Sequence, residues 1–337
     1  MRVAEFSSLA GPSGISIAEH DDPSPSSGEV IVDVEVASLN RHDLRILQGK
    51  SDYVDESELP FVSGLDLVGE VEDIGDDVAN VARGDQVLLY PVLTCGRCRF
   101  CRKGPENQCQ NLSLFHGAFA ERAVVRAEDL IHLPETVTPT EAVGLPSAYT
   151  TAWRTLERAG VTAGDRVLIP GATGGVGVAT VQLAGVRGAR TVGTSRSPTK
   201  LNRLAKLGAD QTVVAETANE VASGVKDLGP FDIVVNHLGG GYLEAGLKAI
   251  RTGGTMVVCG GTAGFESTVD VARLYRSHAD VLGSSVGTKP DLERVLELVA
   301  DRKLSPAVEE ELPLEEAERA FRLMQDQEAI GKILLRP

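Results

Sequence analysis

Apolar strand-like segments alternate with helical segments from residue 167 to residue 283, and this alternation sets the fold class of much of the chain. Six short apolar segments occur, at 167–170, 189–194, 211–215, 231–238, 255–260 and 279–283, and helical periodicity fills the intervals. Strands joined by helical crossovers pair in parallel, with the helices covering the sheet. We therefore expect a doubly wound parallel sheet in a domain of residues 147–286.

The rest of the chain has a different rhythm. The first part carries short β segments such as 30–36 and 67–71, separated by turn residues. The C-terminal part of the chain holds two helical patterns and a short apolar segment at 332–335. We expect residues 1–146 and 287–337 to form one β-rich domain, with the C-terminal tail returning to it.

A glycine-rich turn joins the first strand of the alternating region to its first helix. Against the dinucleotide-binding pattern G-x-G-x-x-G, Ala172 stands at the first glycine position and Gly174 and Gly177 at the other two. Gly174 lets the backbone approach a pyrophosphate, and Gly177 lets the helix pack closely on the sheet. The predicted cofactor-binding residues of this turn are Ala172, Gly174, Gly175, Val176 and Gly177.

The end of the second strand lacks the carboxylate that an NAD site uses to bind the adenosine ribose. Ser195 and Arg196 stand there, and residues 166–209 contain seven Lys or Arg but no Asp or Glu. Such a local excess of positive charge suits an extra phosphate. We predict NADP(H), with Ser195, Arg196 and Lys200 around its 2′-phosphate; the alternative is that most of these cations form a solvated helix face.

Three loops that follow later strands are expected to line the nicotinamide half of the same site, because ligands bind at the carboxyl ends of parallel strands. His237, Gly260 and Ser284 lie in these loops and are predicted to contact the cofactor. His237 is also a candidate proton donor.

Four of the five cysteines fall within fifteen residues, in the pattern Cys95-x2-Cys98-x2-Cys101-x7-Cys109. Four thiolates complete a tetrahedral zinc shell and leave no open position, so the lobe 95–109 predicts one structural Zn²⁺. An iron–sulfur cluster is the competing reading. The fifth, Cys259, lies in an apolar run and is expected to be a core thiol.

Taken together, these features resemble the zinc-containing alcohol dehydrogenase superfamily of medium-chain dehydrogenases/reductases over essentially the whole chain. Supporting stretches are 84–87, 151–153 and 331–335. The resemblance implies an α/β protein with an N-terminal β-rich, GroES-like catalytic domain and a doubly wound (Rossmann) cofactor domain. Lys332, in the closing stretch, is assigned to the cofactor site.

The pattern of that family breaks at its catalytic zinc. Its Cys, His and Cys ligands match Asn40, Leu65 and Ser147 here, and one carboxylate, Asp66, does not hold a zinc ion. These substitutions resemble the quinone oxidoreductase and enoyl reductase branch, which transfers hydride from NADPH to a quinone or an activated carbon–carbon double bond. That chemistry needs no metal, because the acceptor is already electron-poor.

The same branch implies the catalytic residues. Asn40, Asp43 and Tyr53 match its polar active-site positions, and Thr151 is expected near the nicotinamide. Tyr53 is either a hydrogen-bond donor to the acceptor oxygen or a surface tyrosine.

Two other functions stay open at the level of sequence. One is a zinc-dependent alcohol or sugar dehydrogenase whose atypical ligands come from His42, Asp43, Asp66 and His116. The other is an NADPH-binding protein with weak catalysis.

Charge and hydropathy limit the classes of partner that we expect this chain to bind. The 337 residues carry 33 Lys plus Arg against 48 Asp plus Glu, a formal net charge of −15, which disfavours nucleic acids and anionic membranes. The chain shows neither a membrane-spanning run nor a secretion signal, so we expect a cytoplasmic enzyme with a small-molecule acceptor, assembled as a homodimer or homotetramer. Abundant acids with far more Arg than Lys also suggest adaptation to high salt.

Overall fold

The computed structural model describes residues 1–51 and 53–337, and these divide into two units. The first unit comprises Met1–Ser147 and Thr288–Pro337, and the second comprises Ala148–Gly287. These boundaries fall one residue from those expected from the sequence.

The N-terminal part of the first unit is mostly strands. Its elements are β1 (Arg2–Phe6), β2 (Ile15–Glu19), β3 (Glu29–Ser38), α1 (Arg41–Leu47), β4 (Phe61–Val62), β5 (Asp66–Ile74), β6 (Gln86–Leu89), β7 (Val92–Leu93), α2 (Arg99–Lys103), β8 (Ser113–Leu114), β9 (Arg122–Arg126), β10 (Leu130–His132) and α3 (Pro139–Ala142).

The second unit alternates helices and strands. Its elements are α4 (Thr150–Ala159), β11 (Arg166–Ile169), α5 (Gly175–Val186), β12 (Arg190–Ser195), α6 (Pro198–Lys206), β13 (Gln211–Val214), α7 (Ala218–Gly224), β14 (Phe231–Asn236), α8 (Tyr242–Ala249), β15 (Ile250–Val258), α9 (Val271–Ser277) and β16 (Asp280–Gly283).

The C-terminal segment belongs to the first unit again. Its elements are α10 (Lys289–Ala300), β17 (Val308–Pro313), α11 (Ala317–Gln325) and β18 (Lys332–Arg336). Within the described residues, no helix combines the length and the apolar character that crossing a bilayer requires.

The sheet of the first unit shows where the tail returns. Its strands run in the order β10-β6-β5-β3-β18-β17, and β9 also pairs with β3. β18 lies antiparallel to β3, with Leu334 opposite Ser38. Most residues of β3 are buried, and Phe321 of α11 packs on the same core against Phe6 and Phe119. The C-terminal strand therefore completes the β-rich unit, as predicted.

The sheet of the second unit is parallel throughout. Its order is β13-β12-β11-β14-β15-β16, so the chain changes direction between β11 and β14. Strands buried on both faces are nearly continuous apolar runs, as Val167, Leu168 and Ile169 of β11 show. The predicted doubly wound sheet is confirmed, and its topological switch point lies beside the glycine-rich turn.

Candidate active site and cofactor site

The glycine-rich turn leads directly into α5 at the carboxyl edge of the parallel sheet. Gly174 is the N-cap of α5, and Val178 N donates the first helical hydrogen bond to Gly174 O at 2.8 Å. The N–H groups of the three residues between them therefore stand at the helix start, where a phosphate binds.

Two glycines of this turn have different structural requirements. A Cβ at Gly177 would lie 2.7 Å from backbone atoms of Ala172, so only glycine permits this close packing of α5 on the turn. A Cβ at Gly174 would meet no atom within 4 Å, so the backbone there faces open space. The turn thus has the shape that the sequence pattern predicts for a pyrophosphate cradle.

The carboxyl end of β12 carries polar and cationic groups but no carboxylate. Ser195 is buried, and its Oγ lies 3.2 Å from Oγ1 of Thr173 in the glycine-rich turn. Arg196 is exposed, and Lys200 lies in the first turn of α6. The structure thus places Ser195, Arg196 and Lys200 along one edge beside the turn.

Three of the seven cations in residues 166–209 lie away from the glycine-rich turn, so the local excess of positive charge in the sequence is only partly located at the cofactor site. Arg166 and Arg190 begin β11 and β12, at the edge of the sheet opposite to the glycine-rich turn. Arg187, just after α5, pairs with Glu157 at 2.5 Å and stacks over the Trp153 ring at 4.0 Å. These three side chains therefore do not lie beside the glycine-rich turn.

The loops after β14, β15 and β16 converge at the same carboxyl edge. His237 Nε2 lies 3.3 Å from Gly171 O, and a Cβ at Gly260 would lie 2.6 Å from His237 O. Ser284 N donates to Val258 O at 2.9 Å, while the buried Ser284 Oγ has no hydrogen-bond partner in the part of the chain described. The predicted residues His237, Gly260 and Ser284 therefore lie in adjoining loops.

Thr151, predicted near the nicotinamide, lies in the first turn of α4 in this unit. Its side chain is half-buried, and its carbonyl accepts a hydrogen bond from Thr155 Oγ1 at 2.8 Å.

In the first unit, a buried carboxylate stands at the centre of a polar network. Asp66 accepts at Oδ2 from Ser38 Oγ at 2.8 Å and from Asn40 Nδ2 at 2.9 Å. Ser147 Oγ donates to its Oδ1 at 2.5 Å. Both carboxylate oxygens are therefore satisfied by hydrogen bonds from three neutral side chains.

A buried ammonium completes this network. Lys332 Nζ donates to Asn40 Oδ1 at 2.6 Å and to Leu39 O at 2.7 Å, and it lies 3.5 Å from Asp66 Oδ2. Burial lowers the pKa of Lys332, while the carboxylates of Asp66 and Asp43 act in the opposite direction. The structure thus places Lys332, which the sequence assigned to the cofactor site, in an ion pair with Asp66.

Asp43 fixes the residues around Asn40. It accepts from Asn40 N at 2.8 Å, from Ser63 Oγ at 2.7 Å and from Gly64 N at 3.1 Å. Complete burial raises the pKa of Asp43 to about 6, against these hydrogen bonds, which lower it. Asp43 therefore positions the start of α1 against the loop at Ser63.

The donor set around Asp66 does not fit a catalytic zinc ion. Three positions of this chain match the catalytic zinc ligands of the alcohol dehydrogenase family. They hold the amide of Asn40, the aliphatic side chain of Leu65 and the hydroxyl of Ser147. The Lys332 ammonium already lies beside the single carboxylate. Zinc sites use thiolate, imidazole and carboxylate donors, and a second cation here would face an uncompensated repulsion.

Two imidazoles stack beside this network. The rings of His42 and His116 lie 5.3 Å apart at 24° to each other, and Tyr53 packs edge-on against His42 at 4.8 Å. Phe61 packs edge-on against His116, with the ring centroids 5.1 Å apart. The Tyr53 side chain is 51% exposed, so it lies at the surface of this cluster.

The four cysteines of the 95–109 lobe converge on one point. Their Sγ atoms all lie within 4.8 Å of one another, with Cys98 and Cys101 at 3.4 Å and Cys95 and Cys109 at 3.5 Å. A tetrahedral site with zinc–sulfur bonds of about 2.3 Å separates its sulfurs by about 3.8 Å. The N–H groups of Arg97 and Cys98 lower the pKa of Cys95 to about 6. The donor set therefore fits a closed, structural zinc ion.

Sequence reasoning missed the partners of Asp66, and it grouped the two imidazoles only as alternative zinc ligands. Lys332 stands 266 residues from Asp66, and no local pattern joins them. A usable signal existed: a lysine in an apolar C-terminal strand needs a buried acceptor.

A six-stranded parallel sheet with this switch point and glycine-rich turn, in a chain that also has a β-rich unit, is typical of dehydrogenases and reductases that bind a dinucleotide. The family model for the alcohol dehydrogenase GroES-like domain matches residues 26–135, and that for the zinc-binding dehydrogenase matches residues 175–301. The chain belongs to the medium-chain dehydrogenase/reductase superfamily.

Individual relatives differ in their reported activities. Acryloyl-coenzyme A reductase of Metallosphaera sedula is 31% identical over 327 residues, with 96% of each chain covered. A crystal structure of an NAD-dependent alcohol dehydrogenase has a TM-score of 0.91 and 34% identity, with complete coverage of both chains. A cobalt- and zinc-bound alcohol dehydrogenase from Pyrobaculum aerophilum has a TM-score of 0.90 and 30% identity, covering 100% of this chain and 99% of the other.

Proposed function

We propose that this protein is an NADPH-dependent reductase of electron-poor carbon–carbon double bonds, acting on a small α,β-unsaturated acyl thioester or related enone without a catalytic zinc. The observation that carries the proposal is a hydrogen-bonded network around Asp66 and Lys332, in which Asn40 and Ser147 stand at two of the positions that match zinc ligands. The acryloyl-coenzyme A reductase relative supports an acyl thioester as substrate.

NADPH, when bound, supplies a hydride, which carries two electrons. The groups that would hold it are the N–H groups at the start of α5, for the pyrophosphate, and Ser195, Arg196 and Lys200, for the 2′-phosphate. The absence of a carboxylate at the end of β12 favours the phosphorylated cofactor.

The substrate explains why no Lewis acid is needed. A double bond conjugated to a carbonyl accepts hydride at its β carbon, while the negative charge moves to the carbonyl oxygen, and a solvent proton then completes the α carbon. The protein must hold the reacting groups in place and stabilise that oxygen. The network around Asp66 holds Asn40 in a single orientation and so keeps this part of the unit in place.

The structure disfavours an alcohol dehydrogenase with atypical zinc ligands. Asp43 and Asp66 are already engaged by internal hydrogen bonds, so His42 and His116 supply two ligands where a catalytic zinc needs three. Among residues 1–51 and 53–337, the cysteine cluster is the one group of three or more His, Cys, Asp or Glu side chains near enough to share a metal. We assign zinc binding to that cluster alone.

Parallel assays test the function. NADPH consumption is followed with acryloyl and crotonyl thioesters, with a simple quinone, and with NADH in place of NADPH, while alcohol oxidation is followed with NADP⁺. We expect turnover with the thioesters, a preference for NADPH, and about one zinc per chain. Turnover confined to alcohols, with two zinc ions per chain, contradicts the proposal. Cofactor binding without turnover of any acceptor points to an NADPH-binding protein instead.

A further inference from the structure

The stacked imidazoles of His42 and His116 hold polar atoms that the protein leaves unpaired. His42 Nε2 and both ring nitrogens of His116 are buried and have no hydrogen-bond partner among the described residues. A neutral imidazole carries its proton on one of its two nitrogens. Whichever tautomer His116 adopts, its N–H therefore has no partner among residues 1–51 and 53–337.

The chain holds these two rings together through backbone contacts. Asp43 ties the start of α1, which carries His42, to residues 63–64. The same two residues accept backbone hydrogen bonds of 3.1–3.3 Å from residues 117–119, which follow His116. These hydrogen bonds fix the backbone on both sides of the imidazole pair, near Asn40. The unpaired ring nitrogens therefore belong to a well-held part of the unit.

Both imidazoles are uncharged at neutral pH. Burial lowers the pKa of His42 to about 4, with a smaller contribution from the Arg45 guanidinium. Burial lowers the pKa of His116 to about 4 as well, and His42 contributes in the same direction. Neutral imidazoles are poor general acids but good hydrogen-bond donors, as in enzymes that polarise a carbonyl with a neutral histidine.

We propose that His42 and His116 bind the carbonyl oxygen of the α,β-unsaturated acyl substrate and donate hydrogen bonds to it as negative charge develops there. This inference rests on the proposed function and names the groups that stabilise the charge. The N–H groups of Lys332 already point to Leu39, Asn40 and Asp66, and Ser147 donates to Asp66, so the network itself offers these donors to no substrate. The imidazole pair supplies the donors that the network lacks.

Matched substitutions test the pair in the full-length holoprotein. His42→Phe and His116→Phe keep an aromatic ring but remove the donor, whereas His42→Gln and His116→Gln keep an N–H donor. We expect each Phe variant to lose about a hundredfold in kcat with an enoyl thioester, because loss of one oxyanion donor has that effect. We expect the Gln variants to regain a substantial part of that loss. The exposed His132, in the same unit, provides the control His132→Gln, for which no change is expected.

A second readout separates a donor from a packing role. The carbonyl carbon of a saturated acyl thioester, labelled with ¹³C, shifts downfield in its NMR spectrum when the oxygen accepts a hydrogen bond. We expect this shift on binding to the wild type and to the Gln variants but not to the Phe variants. NADPH affinity and the thermal unfolding midpoint are measured alongside.

The inference is overturned if folded Phe variants keep kcat within threefold of the wild type, or if Gln and Phe variants lose equally. If the Phe variants fail to fold, the Gln variants and the wild-type carbonyl shift decide alone. Absence of thioester reduction by the wild type refutes the proposed function itself, which is a different result from normal reduction by the Phe variants.

Discussion

Lys332 supplies the positive charge beside Asp66 in a network whose other donors are neutral. Removing one partner of a buried ion pair leaves the other uncompensated, at a cost of about 3–5 kcal/mol. We therefore expect Lys332→Met to lower the thermal unfolding midpoint by about 5–10 °C. Activity should also fall, because Asn40 Oδ1 loses the hydrogen bond that it accepts from Lys332 Nζ.

The double variant Lys332→Met with Asp66→Asn removes both charges together. It should regain part of the lost stability, because the uncompensated carboxylate is gone. Lys303→Met, at an exposed lysine, serves as the control. An unfolding midpoint unchanged by Lys332→Met would show that the pair contributes nothing.

Arg196 carries the prediction about cofactor choice. Hydrogen bonds to charged groups contribute about 1.5–3 kcal/mol, so Arg196→Gln should reduce the NADPH-to-NADH ratio of kcat/KM by about tenfold to a hundredfold. Arg190→Gln changes another cation of β12, at the opposite edge of the sheet, and should leave the ratio unaltered. Equal effects of the two substitutions, or a wild-type preference for NADH, would refute the assignment to the 2′-phosphate.

Single residues were predictable where a motif has fixed spacing. The cysteines and the glycines lie in short patterns whose geometry is local, and their sulfurs and backbone converge as expected. The pairing of Lys332 with Asp66 depends on β18 returning to β3, and the stacking of His42 on His116 depends on a loop contact. Contacts of this kind depend on tertiary structure and leave no mark in local periodicity.

At the scale of elements, the cysteine lobe of residues 95–109 is the part whose structure we expect to depend most on a bound metal ion. It lies between β7 and β8, whose short ladder pairs Val92 with Leu114, and it contains the five-residue helix α2 and a 3-10 turn at Glu106–Gln108. So little hydrogen-bonded structure does not hold a loop by itself, and we expect metal binding to supply the missing stabilisation.

Removal of one ligand tests this dependence. Cys98→Ser should reduce zinc from about one per chain to a small fraction, and trypsin should then cleave the lobe at its basic residues. Cys259→Ser is the matched control, because Cys259 lies outside the cluster. Retention of full zinc content and trypsin resistance in Cys98→Ser would contradict a four-cysteine site.

Most strands and helices were predictable because their apolar periodicity is strong. Differences occur at element ends: β15 begins at Ile250, five residues before the predicted strand. Its early part contains Gly253 and Gly254 and pairs with β14 across a register shift. Glycine weakens a strand signal, so this extension depends on pairing with a neighbour and not on local sequence.

At the scale of the whole molecule, one edge of the parallel sheet is suited to self-association. β16 is the edge strand, and Val281 on it and Tyr275 on α9 are exposed apolar side chains. Exposed edge strands with apolar neighbours favour pairing with another chain. We propose that a second copy of this chain covers that edge.

Light scattering during size-exclusion chromatography tests the assembly. The wild type should be a dimer or a multiple of a dimer, and Val281→Lys with Tyr275→Asp should yield monomers. Val214→Asp places a charge on β13, the opposite edge strand, and should leave the assembly intact. A monomeric wild type, or dissociation by Val214→Asp, would refute this interface.

The net charge of −15 gives a second prediction at this scale. Dense acidic charge repels itself at low ionic strength, and salt screens that repulsion. We expect the thermal unfolding midpoint and the activity to rise from millimolar to molar potassium chloride. Activity and stability undiminished on dilution from molar to millimolar salt would contradict an adaptation to high salt.

The most direct test of the central claim follows a single hydrogen atom. NADPH that carries deuterium at the transferred position is mixed with a crotonyl thioester and protein of known zinc content, and the product is examined by NMR. We expect a saturated thioester with deuterium at the β carbon, formed by protein holding about one zinc per chain. An unreduced thioester, or reduction that requires a second zinc ion, would contradict it.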